Sequence, residues 1–193
     1  RRVLDAGSGQ GYFSRMLASR GAQVTSVEPA GALFRYAAER EAELGQGIRL
    51  IQADLTEISF QPVYDAVVAN MVLLSIPDWE AALRTCVGAL RPGGLLVFSI
   101  DHPCFENAAS HWAETGAVQV REYVAEYPME RPQATDFHRP LATYLNAVIR
   151  TGCRITEIVE PELPVELADD PGAGRGAAGL VHVPNFLLVA AQR

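Results

Sequence analysis

Positive charge is sparse and unclustered in this chain of 193 residues. Sixteen Lys and Arg stand against 23 Asp and Glu, for a formal net charge of −7 and a pI near 5.1. Proteins that bind DNA or RNA unaided normally present a basic face, so a nucleic-acid partner is not expected. Cysteine is scarcer still. Cys86, Cys104 and Cys153 are far apart and lack metal-ligand spacing, so no metal site is expected; an odd, sparse set fits reduced thiols in a cytoplasmic protein. No apolar run reaches the roughly 18 residues a membrane helix needs, and no signal peptide is visible. The Arg1-Arg2 pair leads straight into a strand and is not a targeting signal. What is present is 49% hydrophobic content, ample for the core of one domain spanning 1–193.

The densest information lies in the first thirty residues. Val3 to Ala6 is an apolar strand, Gly7, Gly9 and Gly11 form a tight turn, and Tyr12 to Arg20 is a short helix. Val24 to Val27 is a second strand ending in Glu28. Glycines at this spacing let backbone turn sharply and approach a ligand with no Cβ in the way. The helix N-terminus behind them favours an anion. Glu28 falls at the carboxyl edge of the sheet, where open α/β folds bind ligands, and a carboxylate there suits a pair of ribose hydroxyls. The stretch therefore points to a nucleoside-containing cofactor. The dinucleotide fingerprint G-x-G-x-x-G is broken, because Tyr12 stands where its last glycine belongs. A Gly-Lys-Ser/Thr phosphate loop is also missing.

Further along, strands and helices alternate. Leu33, Phe34, Ala37, Ala38 and Leu44 show helical period closed by Gly45, and Ile48 to Ala53 reads as a third strand ending in Asp54. Tyr64 to Asn70 is the fourth strand. Met71 to Pro77 leads to a helix with Asp78 at its N-cap and Leu83, Cys86, Val87 and Leu90 as its buried stripe. Arg91-Pro-Gly-Gly94 signals a stop and turn before a fifth strand, Leu95 to Ile100. This rhythm implies a doubly wound α/β sheet. Residues Asp101 to Arg139 break it. They hold three of the four histidines and weak strand-like alternation around Val118 to Tyr127, as in a substrate-capping insertion. Leu141 to Ile149 is an amphipathic helix stopped by Gly152, Arg154 to Val159 a sixth strand, Ala168 to Gly179 a mobile stretch, and Phe186 to Ala191 the last strand.

With Asp5 two residues before the glycines, the turn reads D-x-G-S-G-x-G, and here the sequence resembles the class I S-adenosylmethionine-dependent methyltransferases. The likeness spans Val3 to the final strand, with its specific motifs between Asp5 and Gly94. It implies a Rossmann-like, mostly parallel seven-stranded sheet whose last strand pairs antiparallel with the fifth, and S-adenosylmethionine as cofactor. Asp5, Gly7, Ser8, Gly9 and Gly11 would lie against the methionine part, and Glu28 with Pro29 at the ribose hydroxyls. Asp54 with Leu55 would meet the adenine, and Asn70 with Met71 the methionine ammonium. Each feature also has a structural reading: glycines for packing, Glu28 as a solvated loop acid, Asp54 as a cap. The chain opens almost inside its first strand with no starting Met, whereas the family usually carries helices upstream. A fragment, or a lid supplied from elsewhere, is expected.

The implied chemistry is methyl transfer to O, N or C of a small metabolite by in-line displacement, which needs alignment and no universal triad. His102, following the fifth strand, is the candidate base, with a structural turn as its alternative. His138, Arg139 and Tyr123 are candidate substrate contacts. The loop after Asn70 lacks the Asn/Asp-Pro-Pro-Tyr/Phe of base-amine methylation and the acidic cluster of metal-dependent catechol methylation. A small-molecule partner is therefore expected, and no metal. Two other readings share the fold: an enzyme that keeps the cofactor without transferring methyl, such as a cyclase or decarboxylase, and a non-catalytic binding module.

Overall fold

A computed structural model describes residues 1–106, 108–132, 134–168 and 177–193. The sheet begins with β1 (Arg2–Ala6), followed by α1 (Tyr12–Ser19), β2 (Gln23–Val27), α2 (Gly31–Leu44), β3 (Arg49–Ile51) and β4 (Tyr64–Asn70). Next come a 3-10 turn at Leu73–Ser75, α3 (Trp79–Ala89) and β5 (Leu90–Asp101). The caps match the residues that set them. Gly45 closes α2 in the left-handed region at φ 61°, its N–H donating to the Glu41 carbonyl, and the Asp78 side chain accepts from the Ala81 N–H at 3.2 Å to start α3.

After β5 the chain forms α4 (Ala108–Thr115), β6 (Tyr127–Glu130), β7 (Thr135–His138), α5 (Leu141–Arg150), β8 (Arg154–Val159), α6 (Val165–Ala168) and β9 (Phe186–Gln192). Seven strands form one sheet in the order β3-β2-β1-β4-β5-β9-β8. Strands β1 to β5 run parallel, and β9 is antiparallel to both β5 and β8. The expected architecture and antiparallel last strand are present. The order reverses between β1 and β4, and that crevice is where open sheets of this kind hold ligands.

Register explains the core. Leu4, Val67, Leu96 and Ala191 are successive partners across four strands, and each has 0% of its surface exposed. Trp79, Leu83 and Cys86 from α3 and Tyr144, Ala147 and Val148 from α5 join the same cluster. The Trp79 and Tyr144 rings meet at 4.7 Å. One residue along, Asp5, Val68, Val97 and Ala190 make the row on the opposite face, where α1 brings Ser14 to Asp5. All three cysteines are unpaired, and burial pushes the Cys86 thiol up to about 12, so it stays protonated. Among the described residues no helix is long and apolar enough to cross a membrane.

Three expectations are corrected. The third strand has three residues, Arg49–Ile51, because its chain leaves the sheet edge early to form the turn at Asp54. Arg91 to Gly94 is a bulge within β5. Tyr64 pairs with Leu90 and Ala66 with Leu95, so the extra residues loop out of register around Gly93 at φ 76°. The alternation around Val118 to Tyr127 is not a strand of its own: Val120 and Val124 are exposed, Glu122 has φ 53°, and only Tyr127 enters a strand, as the first residue of β6 in the separate two-stranded β6–β7 sheet. Of Ala168 to Gly179, positions 169–176 lie outside the described residues, Ala168 ends α6, and 177–179 belong to a 3-10 turn.

Leu96 sits in the middle of the buried row. Leu96→Ala should cost about 2–5 kcal/mol of unfolding free energy, by the range for truncating buried leucines. Urea denaturation showing a loss below about 1 kcal/mol would mean that this row does not form the core.

Candidate functional site

The site assembles at the carboxyl edge of β3, β2, β1 and β4, which places Asp54, Glu28, the glycine turn and Asn70 side by side. Gly7 has φ 70°, and a Cβ there would stand 2.5 Å from a methyl carbon of Val72. That residue must therefore be glycine if the turn is to lie against the β4–α3 loop. Gly9, at φ 56°, has open space where a Cβ would stand, with nothing within 4 Å. Its N–H donates to Glu28 Oε2 at 2.8 Å, while the Ala30 N–H donates to Oε1 at 2.9 Å. Glu28 is buried and thus holds the glycine turn against the end of β2. Ser8 adds a second tie, its N–H donating to the Val27 carbonyl at 2.9 Å and its hydroxyl accepting from that of Ser26 at 2.6 Å. The Gly11 carbonyl accepts the Arg15 N–H, opening α1.

Asp5 is engaged by α1. It is 1% exposed, and its Oδ2 accepts the Ser14 hydroxyl at 2.5 Å. Burial raises its carboxyl to about 6, the Ser14 bonds oppose the rise, and the Glu28 charge adds to it. Asp5 pins α1 beneath the turn. Pro29 is exposed, and its carbonyl lies 3.4 Å from the Gln52 amide.

Asp54 is exposed, and its Oδ1 accepts both the N–H and the hydroxyl of Thr56 at 2.8 Å. It caps a turn, while Leu55 turns its side chain into the core at 2% exposure. At the end of β4, Asn70 Oδ1 accepts the Ser99 hydroxyl at 2.7 Å. Met71 sits at φ 57°, uncommon for a side-chain-bearing residue, and its N–H reaches the Ser99 carbonyl at 3.0 Å and hydroxyl oxygen at 3.1 Å. Ser99 was not singled out from sequence. Its only signal is a hydroxyl two residues before the end of β5.

His102 is 2% exposed, its ring packed beside that of Phe105 at 4.8 Å. Its Nδ1 accepts the Cys104 N–H at 3.2 Å, so the ring proton belongs on Nε2, which donates to Glu160 at 2.8 Å. Its backbone N–H donates to the Asn185 carbonyl. No ring lone pair is left for a substrate proton. This arrangement favours the structural turn over the base role expected from sequence.

The other candidates gather in the insertion. His138, also 2% exposed, sets Nδ1 at 2.8 Å from Glu106 Oε2 and Nε2 at 2.9 Å from the Tyr123 carbonyl, and stacks on Tyr127 at 4.8 Å. Both partners are oxygen acceptors, so the His138–Glu106 contact must hold a proton. Burial raises the Glu106 carboxyl and the His138 bond opposes this. The Tyr123 hydroxyl oxygen accepts the Leu141 N–H at 3.0 Å and so caps α5. Arg139 is buried against carbonyls of the β4–α3 loop. Glu106, the partner of His138, carried no sequence signal, since the two are 32 positions apart. A cavity of about 260 Å³ lies beside this cluster, walled by Cys104, Glu106, His111, Tyr127 and His138. Among the described residues no group of three or more His, Cys, Asp or Glu is placed to hold a metal.

The residues fit the cofactor that the resemblance implies. The open space at Gly9 is a cradle that any side chain would fill. Glu28 keeps acceptor capacity beyond its two backbone bonds, since a carboxylate offers about four lone-pair directions. Comparison with known proteins points the same way. The methyltransferase domain family matches residues 4–98. A ubiquinone biosynthesis O-methyltransferase of Xylella fastidiosa is 37% identical over 151 residues, covering 75% of this chain and 58% of its own. One from Idiomarina loihiensis is 31% identical over 147 residues, covering 70% and 60%. The chain thus spans less than two thirds of these curated relatives. The crystal structure of an S-adenosylmethionine-dependent methyltransferase from Mesorhizobium loti superposes with a TM-score of 0.83 at 30% identity, covering all of this chain and 90% of that one.

The raised Asp5 carboxyl gives stability a definite pH dependence. Protonation is favoured in the fold, so its contribution is complete below the ordinary carboxyl value of 3.8 and is lost as pH rises through about 6. Asp5→Asn keeps the shape without the charge. It should unfold at higher urea than the wild type above pH 7, by up to about 3 kcal/mol, and show little advantage at pH 4. A stability gap that does not change between pH 4 and 8 would refute the assignment.

Proposed function

We propose, as the chain belongs to the S-adenosylmethionine-dependent methyltransferases, that it transfers a methyl group to O, N or C of a small metabolite by in-line displacement. The observation that carries this reading is the carboxylate of Glu28, clamped between the N–H groups of Gly9 and Ala30 at the point where the sheet order reverses. The bound sulfonium supplies an electrophilic methyl group, so little covalent work is left for the protein. Glu28 binds the ribose hydroxyls and Asp54 the adenine amino group. The Asn70 carbonyl takes the ammonium, with Ser99 fixing the side chain of that residue. Gly7 and Gly9 let the backbone close on the methionine part.

The main contribution is alignment, which can remove roughly 7–11 kcal/mol of a barrier when the reacting atoms are held in line. The engaged ring of His102 supports a reaction that leans on alignment more than on a base from that position. The insertion 101–139 is the acceptor cap in this reading. Among possible acceptor atoms, oxygen is favoured by the curated relatives, which are named as O-methyltransferases.

The test is turnover. Purified protein with labelled S-adenosylmethionine and a panel of phenols, hydroxy acids and amines should yield S-adenosylhomocysteine and a methylated acceptor in equal amounts. Tight cofactor binding with no S-adenosylhomocysteine from any acceptor would favour the reading in which the cofactor is kept without methyl transfer. Glu28→Ala should weaken cofactor binding by more than tenfold, about 1.4 kcal/mol, in calorimetry. Wild-type affinity in that variant would remove Glu28 from the site.

A further inference from the structure

Arg139 lies outside the candidate cofactor site and is 3% exposed. Its guanidinium meets no carboxylate among the described residues. Nη1 donates to the Leu73 carbonyl at 3.2 Å, and Nη2 to the carbonyls of Ile76 and Pro77 at 2.9 and 3.3 Å. Nη1 also lies 3.4 Å from the Tyr144 hydroxyl oxygen. The group sits over the Trp79 ring at 5.5 Å and the Phe137 ring at 4.9 Å. A buried cation is tolerated only where its N–H groups are satisfied, and a planar guanidinium does this while stacking on rings, which an ammonium cannot. The interaction therefore belongs to arginine specifically, and what it grips is the backbone of 73–77.

That segment leads back to the glycine turn. It follows directly on Met71, held at φ 57°, and on Val72, whose methyl carbons stand 2.5 and 2.6 Å from the Cβ position of Gly7. A second tie from β7 runs parallel to the first, the Ser75 hydroxyl donating to Asp136 at 2.6 Å. The hairpin β6–β7 thus fastens the β4–α3 loop from above, and the loop presses Val72 on Gly7 from the side.

We propose that Arg139 is a positioning residue which couples the hairpin of the insertion to the glycine turn, so that cofactor affinity depends on a side chain that does not touch the cofactor. The inference rests on the assignment of the glycine turn as the cofactor site. Coupling of this kind is reciprocal: an acceptor that settles the hairpin raises cofactor affinity by the factor by which cofactor raises its own.

A double-mutant cycle tests it, because contiguity alone does not establish coupling. Calorimetry with S-adenosylhomocysteine would compare the wild type, Arg139→Lys, Val72→Ala and the double variant, each checked by urea unfolding. Arg139→Lys, which keeps the charge but loses the fork, should lower affinity several-fold, and the double variant should bind no more weakly than the weaker single one. Val148→Ala, a core change in α5 at a residue that makes none of the hydrogen bonds or ring contacts of Arg139, should lower stability and leave affinity unchanged. If Arg139→Lys does not fold, Ser75→Ala takes its place in the cycle with the same expected non-additivity. Wild-type affinity in a folded Arg139→Lys, strictly additive losses, or an equal loss in Val148→Ala would overturn the coupling while leaving the cofactor site in place. A wild type that does not bind S-adenosylhomocysteine at all would overturn the cofactor assignment and the coupling together.

Discussion

The candidate site depends on one carboxylate held between two backbone N–H groups. Glu28 receives the N–H of Gly9 from the turn after β1 and that of Ala30 from the start of α2, so it joins two strand ends at once. Buried carboxylates persist where hydrogen bonds replace the lost water, and charge-assisted bonds of this type are among the stronger ones. The turn cannot make the bond unless its backbone enters the left-handed region at Gly7 and Gly9, which only glycine does at little cost. Glycine pattern and acid are therefore one feature. Neither explains the geometry without the other.

A second acid, Asp5, is held by different partners. Asp5 is buried against Ser14 alone, whose hydroxyl and backbone bonds do not offset the desolvation, and its carboxyl rises to about 6. Near neutral pH the two acids divide the work. Glu28 stays at the ligand edge with N–H donors on both oxygens, and Asp5 anchors α1 on the other face of the sheet. The Glu28 charge adds to the rise at Asp5, so the pair is linked electrostatically as well as by the turn between them.

The parts legible in the sequence are those set by local backbone chemistry. Gly45 as a helix stop, Asp78 as a cap and the glycine turn all act within a few residues, and each stands where the spacing put it. The doubly wound, mostly parallel sheet followed from alternation of element types, and its antiparallel last strand from the family resemblance. Errors arose where local preference meets a tertiary demand. Arg91 to Gly94 has turn chemistry, yet pairing of Tyr64 with Leu90 keeps it in β5 as a bulge. Of Val118 to Tyr127, which alternates like a strand, only Tyr127 finds a partner, His138 across the β6–β7 hairpin, and an unpaired alternation does not make a strand. His102 carried the signal of a base, and the residues that occupy its ring, Cys104 and Glu160, could be identified only from the folded chain.

The same distinction separates the two halves of the site. Its donor half is built from backbone: positive φ angles, strand ends and N–H groups, all encoded within short stretches. The insertion, proposed as the acceptor cap, is built from side chains that meet across long separations, His138 with Glu106 at 32 positions, Ser75 with Asp136 at 61 and Arg139 with Leu73 at 66. Backbone features tolerate change in side chains around them, whereas a buried network fails when one member is left unpaired. Under the proposed function, such an arrangement keeps the methyl donor fixed while the acceptor changes. The price of that freedom is that each acceptor cap must be fastened anew to the common turn, and in this chain the fastening runs through the carbonyls of 73–77.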